Sequence, residues 1–120
     1  MPYKVLIVDD SKLARMAVGK VLGGLCPDWT CAEAANADEA IAILEARRDI
    51  TIVFTDVQMP GSMDGLRLAA AIRGRWPPIK IIATSGNINI GARDLPQGGC
   101  FVPKPYTCAE IVDTINAFAA

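Results

Sequence analysis

The chain has 120 residues, enough for one domain with a substantial core but not for two. Its 12 basic and 13 acidic residues are scattered and leave a formal net charge of -1, so the basic patch of a nucleic-acid-binding protein is missing. We therefore expect no nucleic-acid binding by this chain alone. The chain contains no histidine, which excludes a histidine general base, a phosphohistidine carrier and the Ser-His and Cys-His nucleophile pairs.

The N-terminus and the cysteines bear on the cellular compartment. The first residues lead directly into a strand-like segment without the layout of a signal peptide, and no apolar stretch reaches the length of a membrane span. We expect a cytoplasmic protein without membrane contact. Cys26, Cys31, Cys100 and Cys108 lack C-x-x-C spacing, and a zinc site would need all four, so free thiols are the expected state.

Short apolar runs alternate along the chain with longer segments of helical periodicity. The predicted strands are residues 4–8, 29–33, 50–55, 80–84 and 100–102. The central runs are apolar on both faces, as strands of a covered parallel sheet must be. The alternation predicts an α/β fold with a doubly wound, five-stranded parallel sheet and helices on both faces.

The first predicted helix follows Ser11 and ends near Gly23, and its inner face includes Leu13, Ala17 and Val18. Capping patterns in the sequence predict where later helices begin.

Asn36 and Glu39 resemble a capping box at the start of the second helix, and the third helix covers residues 64–75. Thr107 and Glu110 form a full Thr/Glu capping box before the last helix. The two capping patterns predict where the second and the last helix begin.

Acidic residues follow two of the predicted strands. Asp9 and Asp10 come directly after the first strand, and Asp56 follows the third. If these strands are parallel neighbours, the three carboxylates meet at the edge where open α/β sheets bind ligands. Clustered carboxylates repel one another, and a Mg²⁺ ion held by carboxylates and water would relieve that repulsion and pair with phosphate. Asp9 and Asp10 could instead cap the first helix.

Phosphate chemistry is open to these residues. Asp56 could attack phosphorus and form an acyl phosphate when a metal and a cation neutralise the incoming charge. Lys104 follows the last predicted strand and could be that cation, although alone it would be an ordinary surface lysine. Side chains alternate along a strand, so only one hydroxyl of Thr84 and Ser85 can point to the site. Ser85 is the candidate because Gly86 follows it and lets the backbone pass close by.

At these positions the chain resembles the response-regulator receiver domain of two-component signalling, over its whole length of residues 1–120. Four ordered motifs carry the resemblance: Val8-Asp9-Asp10-Ser11, Asp56-Val57-Gln58-Met59-Pro60 followed by Met63-Asp64-Gly65, Ser85-Gly86, and Lys104-Pro105-Tyr106. Four motifs at the ends of four strands are far more specific than any one alone. The resemblance implies the flavodoxin-like strand order 2-1-3-4-5.

The resemblance also implies how the site would divide its work. Asp56 would receive the phosphoryl group. Asp10 would bind Mg²⁺ directly and Asp9 mainly through water, while Asp56 and the backbone carbonyl of Gln58 would complete the protein's share of the metal shell. Gln58 and Asn87 occupy positions that tune how long the phosphoryl group survives in such domains.

Signalling roles are implied for three further residues. Ser85 would be the switch hydroxyl that moves toward the phosphate, Lys104 the cation that pairs with it, and Phe101 the aromatic ring that changes rotamer with Ser85. On its own, Phe101 would be a core residue, and the two roles are compatible. The Lys104–Pro105 bond would be cis, which is inexpensive only before proline.

The chain departs from the commonest form of the family at three places. Gly61 and Ser62 lengthen the loop after the acceptor by one residue. Pro103 removes a backbone donor, so the last strand should be short and at a sheet edge. Residues 86–100 are interrupted by glycine, asparagine and proline, so the fourth helix should be short or irregular. That helix forms part of the face through which members of the family usually dimerise. This chain could therefore form a homodimer, but we do not expect the dimer geometry of the family to apply to it.

The resemblance implies a phosphorylation-switched receiver and no enzyme that turns over an external substrate. A histidine kinase or histidine phosphotransfer protein would supply the phosphoryl group, and surface contacts would pass the signal to a downstream protein. Two alternatives stay open: a pseudo-receiver that signals by binding alone, and an aspartyl-phosphate phosphohydrolase. The hydrolase would need a second aspartate two residues after the nucleophile, where this chain has Gln58.

Overall fold

The computed structural model describes residues 3–25, 29–59, 61, 63–87, 89–96 and 98–119, and at positions 25, 108, 118 and 119 it describes the backbone only. The expectations for Cys26, for the Cys108 thiol and for Ser62 lie outside the described residues. Cys31 and Cys100 are free thiols, as expected.

Parallel strands form one sheet. They are β1 Lys4–Val8, β2 Thr30–Ala34, β3 Ile52–Asp56, β4 Lys80–Ser85 and β5 Cys100–Pro103. Their order across the sheet is β2-β1-β3-β4-β5, which confirms the predicted α/β fold and its flavodoxin-like topology. Every residue of the central strand β3 is buried, because helices cover both faces of the sheet.

Helices connect the strands. They are α1 Lys12–Leu25, α2 Ala37–Ala46, α3 Gly65–Arg75 and α4 Cys108–Ala119, and a 3₁₀ turn, Ala92–Asp94, lies between β4 and β5. The short turn in place of a further α-helix confirms the irregular segment predicted there. In the described part of the chain, no helix has both the length and the apolar character needed to cross a bilayer.

Side-chain caps begin the helices where the sequence predicts them. The Oδ1 atom of Asn36 accepts a hydrogen bond from the Glu39 backbone N–H at 2.9 Å. At α4 the predicted capping box is complete: Thr107 Oγ1 accepts from the Glu110 N–H at 3.2 Å, and Glu110 Oε1 accepts from the Thr107 N–H at 3.1 Å. Each bond satisfies a backbone donor that has no partner within its helix.

Two apolar layers cover the sheet. On one face α2 and α3 contribute buried side chains such as Leu44 and Ile72. On the other face α1 and α4 contribute buried side chains such as Leu22 and Ile115. Helices therefore lie on both faces, as predicted, and the loops at the carboxyl ends of the strands are free to form a site.

The inner face predicted for α1 is partly wrong. Leu13 is 79% exposed and Ala17 is also exposed, whereas Val18 and Leu22 are buried against the sheet. Residues four apart lie above one another on a helix, so Leu13 and Ala17 form a stripe next to that of Val18 and Leu22. The helix is turned by about one residue, about 100°, from the predicted orientation.

The last strand is short and lies at the edge of the sheet, as the proline predicts. Among the described strands, β5 is hydrogen-bonded to β4 alone, and the exposed Pro103 is its final residue. A missing backbone donor is tolerated there because no further strand needs it.

Candidate functional site

Three carboxylates meet at the carboxyl edge of the sheet. Asp9 and Asp10 follow β1, Asp56 ends β3, and these strands are neighbours. One carboxylate oxygen from each residue lies within 4.8 Å of those of the other two. Asp9 and Asp56 are buried and Asp10 is exposed, so the cluster opens to solvent on the side of Asp10. The structure therefore brings together the three acids, as expected from their positions after neighbouring parallel strands.

The carboxylate of Asp9 lies in an unfavourable environment for a negative charge. Burial raises its pKa above the ordinary value, and repulsion by Asp56 and Asp10 acts in the same direction. The backbone N–H of Ser11 donates to Asp9 Oδ1 at 2.9 Å, and this bond and the charge of Lys104 oppose the rise in pKa. The cluster would therefore be relieved by a bound cation.

The N-terminus of α1 is capped by a different residue. Ser11 Oγ accepts a hydrogen bond from the Ala14 N–H at 3.2 Å, which is the contact expected of an N-cap. The carboxylate of Asp9 accepts from the N–H of Ser11, which lies ahead of the first turn of the helix. The alternative in which the two acids serve simply as helix caps is therefore disfavoured.

Asp56 has a cation and a backbone donor as neighbours. Lys104 Nζ lies 3.2 Å from Asp56 Oδ2, and the backbone N–H of Gln58 donates to Asp56 Oδ1 at 3.3 Å. The side chain of Asp56 is 8% exposed and that of Lys104 is 36% exposed, so the pair is shielded on the aspartate side. Lys104 is thus an ion-pair partner of the candidate nucleophile and more than a solvated surface residue.

The two hydroxyls at the end of β4 point in different directions. Ser85 is buried, and its Oγ accepts from the Asn87 N–H at 3.0 Å and lies 3.4 Å from Gln58 Oε1. Thr84 Oγ1 is buried without a hydrogen-bond partner among the described residues. Ser85 is therefore the hydroxyl on the side of the site, and Thr84 faces packing.

The remaining predicted residues lie around this group. The side-chain oxygen of Asn87 accepts from the Asn89 N–H at 2.9 Å, so it closes a local turn. Phe101 is half-buried on β5 opposite Ala83. The Lys104–Pro105 peptide bond is cis, as the resemblance implied.

Gly65 packs directly against the main chain that carries Asp56. Its N–H donates to the Val57 carbonyl at 2.8 Å. A Cβ atom at this position would collide with the Asp56 carbonyl oxygen and lie 2.7 Å from Val57 Cα. Only glycine lets α3 begin this close to the main chain that carries Asp56.

Arg15 is a site neighbour that the sequence analysis missed. Its Nη1 donates to the Asp9 carbonyl at 2.6 Å, and its Nε donates to Glu33 Oε1 at 3.0 Å. Arg15 lies three and seven residues before Val18 and Leu22, so it shares their face of α1. This spacing was the signal that could have found it, once the inward face of the helix was known.

The donor set suits a small, hard divalent cation. Mg²⁺ takes one or two carboxylates and keeps several waters, and this cluster offers two buried carboxylates beside an exposed one. The hydrogen bond from Gln58 to Asp56 places the Gln58 main chain beside the cluster. The Gln58 carbonyl as a metal ligand stays a prediction. Chemically, the arrangement offers a carboxylate that could act as a nucleophile, a cation paired with it and an acid pair that could hold a metal ion.

Comparison with known proteins agrees with this arrangement. The family model of the response regulator receiver domain matches residues 5–116. The response regulator protein FleR of Pseudomonas aeruginosa is 32% identical over 99% of this chain and 25% of its own length. The sensor kinase CckA of Brucella abortus is 36% identical over 93% of this chain and 12% of its own length. This chain therefore spans a quarter or less of either protein.

Solved structures show the same fold. The receiver domain of the hybrid histidine kinase CckA superposes with a TM-score of 0.77 at 26% identity, covering 95% of this chain and 96% of that one. The chemotaxis protein CheY4 of Vibrio cholerae superposes with a TM-score of 0.81 at 23% identity, covering 98% of each chain. Because the family match spans nearly the whole chain, this protein belongs to the response regulator receiver domain family.

Proposed function

We propose that this chain is a cytoplasmic receiver, forming one domain over residues 1–120, that is switched by phosphorylation of Asp56. The observation that carries the proposal is the contact of Asp56 with Lys104 at 3.2 Å inside a cluster of three carboxylates. Phosphoryl transfer to a carboxylate needs positioning and positive charge more than further covalent chemistry. Those are the features that this edge of the sheet supplies.

The phosphoryl donor would be a phosphohistidine on a histidine kinase or a histidine phosphotransfer protein. A carboxylate oxygen of Asp56 attacks phosphorus, the O–P bond forms as the P–N bond to the imidazole breaks, and the imidazole keeps the electron pair. Lys104 remains charged and stabilises the phosphoryl oxygens as a point charge.

Asp9, Asp10, Asp56 and the backbone carbonyl of Gln58 would hold Mg²⁺. The ion, when bound, supplies positive charge to the transferring phosphoryl oxygens. Asp9 Oδ1 is already engaged by the Ser11 N–H at 2.9 Å, which leaves its second oxygen for the ion or for a water molecule. The resemblance to the family implies the division in which Asp10 contacts the ion directly and Asp9 acts mainly through water.

Ser85 and Phe101 would convert phosphorylation into a change of surface. The Ser85 hydroxyl lies 3.4 Å from Gln58 Oε1, a long contact that the stronger acceptor oxygens of a phosphoryl group on Asp56 would replace. Phe101, half-buried one strand away, would change rotamer with Ser85. Because Gln58 contacts the Ser85 hydroxyl, it would tune how long the phosphoryl group survives. Asn87 would do so only if its turn with Asn89 opens.

The output would be contact with a downstream protein, by a monomer or a homodimer. The domain would catalyse only its own phosphorylation and dephosphorylation. Gln58 stands where an aspartyl-phosphate phosphohydrolase needs its second aspartate, which argues against turnover of an external substrate.

The first prediction tests the acceptor. Wild type and Asp56→Asn are incubated with acetyl phosphate or beryllofluoride in Mg²⁺, and phosphorylation is measured by mass spectrometry and the conformational response by NMR. We expect one phosphoryl group on wild type and none on Asp56→Asn. Asp113→Asn, which removes an exposed acid on α4, is the matched control and should label like wild type.

Equal labelling of Asp56→Asn would overturn the assignment of the acceptor. Normal folding of wild type without labelling, Mg²⁺ binding or a response to beryllofluoride would favour the pseudo-receiver instead.

A further inference from the structure

Arg15 joins the acidic site to the edge strand β2. It lies in the first turn of α1, and its side chain is 14% exposed. The guanidinium makes two contacts at once, with Glu33 Oε1 at 3.0 Å and with the Asp9 carbonyl oxygen at 2.6 Å. A planar guanidinium with several fixed donors can bridge two acceptors in this way, whereas an ammonium group cannot hold the same geometry.

The main chain of Asp9 is held at both of its polar groups. Its N–H donates to the Ala34 carbonyl at 3.1 Å, and its carbonyl accepts from Arg15. Glu33, which anchors Arg15, directly precedes Ala34 on β2. Both contacts therefore tie Asp9 to the end of the same strand.

The Asp9 carbonyl also belongs to the peptide unit that carries Asp10. Because a peptide unit is planar, fixing the direction of this carbonyl fixes the direction in which the Asp10 main chain leaves it. Asp10 itself is exposed, so little packing orients it otherwise. Arg15 thus restrains the residue that the proposed function makes the direct metal ligand.

The charge and the geometry of Arg15 have opposite effects on cation binding. A positive charge near three carboxylates repels a divalent cation, so its removal would tighten binding by charge alone. Loss of the two hydrogen bonds would let the peptide unit turn and weaken binding. Mutation of residues that do not contact the metal but orient its ligands through hydrogen bonds typically changes metal affinity by about 10–100-fold.

We propose that Arg15, anchored by Glu33, is a positioning residue of the metal site, which orients the Asp9–Asp10 peptide so that its carboxylates bind Mg²⁺. The inference rests on the proposed function, because it assigns Mg²⁺ to this cluster. The contacts of Arg15 are with Glu33 and the Asp9 carbonyl, so its proposed effect is on the affinity for the ion.

The second prediction separates geometry from charge with two substitutions. Arg15→Lys keeps the charge and loses the bridge, and Arg15→Met loses both. We expect Arg15→Lys to bind Mg²⁺ about tenfold more weakly than wild type, and Arg15→Met to be weakened less because loss of the charge partly offsets loss of the geometry, both measured by calorimetry well below the unfolding temperature. Labelling by acetyl phosphate should recover toward the wild-type rate at saturating Mg²⁺. Lys20→Met, which removes an exposed charge from the same helix, should leave the affinity unchanged.

Two results would overturn this inference. One is unchanged affinity in Arg15→Lys with tighter binding in Arg15→Met, which is the outcome of charge alone. The other is a lower unfolding temperature in EDTA with unchanged Mg²⁺ affinity in both variants, which is the outcome of a purely structural contact. Wild type serves to separate the two proposals: if it binds no Mg²⁺ and is not labelled, the proposed function fails first.

Discussion

At the scale of single residues, Gly65 sets how closely α3 can approach the strand that carries Asp56. Its hydrogen bond to the Val57 carbonyl and the absence of a Cβ let the helix begin against the main chain of the acceptor. The atoms that a Cβ would meet belong to the backbone and cannot rotate away. The sequence contained this glycine within a family motif, but only the packing shows which contact requires it.

The third prediction is that Gly65→Ala both destabilises the fold and displaces Asp56, the proposed phosphoryl acceptor. We expect the free energy of unfolding to fall by about 1–3 kcal/mol, the usual cost of overpacking, and the phosphorylation rate to fall as well. Denaturant unfolding and acetyl phosphate labelling measure the two effects.

Gly74 provides the matched control within the same helix. A Cβ there would meet nothing within 4 Å, so Gly74→Ala should raise the free energy of unfolding by about 0.4–1 kcal/mol. Similar stabilisation by both alanines would show that helix propensity, and not the contact with Asp56, governs Gly65.

At the scale of secondary-structure elements, the sequence predicted where helices begin better than it predicted which face of a helix is buried. The Thr107 and Glu110 capping box is local in sequence, and the structure forms both of its hydrogen bonds. The inner face of α1 depends on which neighbour it packs against, and here Leu13 is exposed while Leu22 is buried. When apolar residues form two adjacent stripes on a helix, periodicity alone does not show which stripe is buried.

The fourth prediction concerns the start of α4, which follows the Lys104 motif directly. Thr107→Ala should lower the free energy of unfolding by about 1 kcal/mol, because the Glu110 N–H loses its acceptor. Thermal and denaturant unfolding measure this loss.

The control is Thr114→Ala in the middle of the same helix. The Thr114 hydroxyl donates to the Glu110 carbonyl at 2.7 Å, a contact that does not favour a helix, so alanine should be neutral or stabilising. A larger loss at Thr114 than at Thr107 would contradict the capping argument.

At the scale of the whole molecule, Asp49 and Asp9 make the free energy of unfolding depend on pH in opposite directions. The pKa of Asp49 is lowered to about 2, first by the hydrogen bond from Arg47 and then by that from Lys4. Its contribution is present above its ordinary pKa of 3.8 and is lost as pH falls toward 2. The pKa of Asp9 is raised by burial, so the folded state holds that proton more tightly and stability falls as pH rises above 3.8.

The fifth prediction follows from the sign of the Asp9 effect. In EDTA at neutral pH, Asp9→Asn should be more stable than wild type, because a neutral amide avoids the cost of burying a charge and the repulsion by Asp56, while its oxygen still accepts from Ser11. A gain of about 1 kcal/mol would raise Tm by about 4 °C. Addition of Mg²⁺ should stabilise wild type more than the variant.

Asp49→Asn is the comparison for this experiment, measured by thermal unfolding between pH 3 and pH 7. It should lose stability relative to wild type above pH 4, by a small amount because the group is exposed to solvent. A lower Tm for Asp9→Asn than for wild type in EDTA at neutral pH would contradict the repulsion argument.

The amino-acid sequence by itself determined the order and type of the elements, the capping boxes and the placing of Asp9, Asp10 and Asp56 at strand ends, because these depend on local periodicity and spacing. The tertiary structure alone decided the rotation of α1, the bridge from Glu33 through Arg15 to Asp9, and the approach of Gly65 to Asp56. These contacts join elements that are distant in sequence, and their geometry is set by how the helices pack on the sheet.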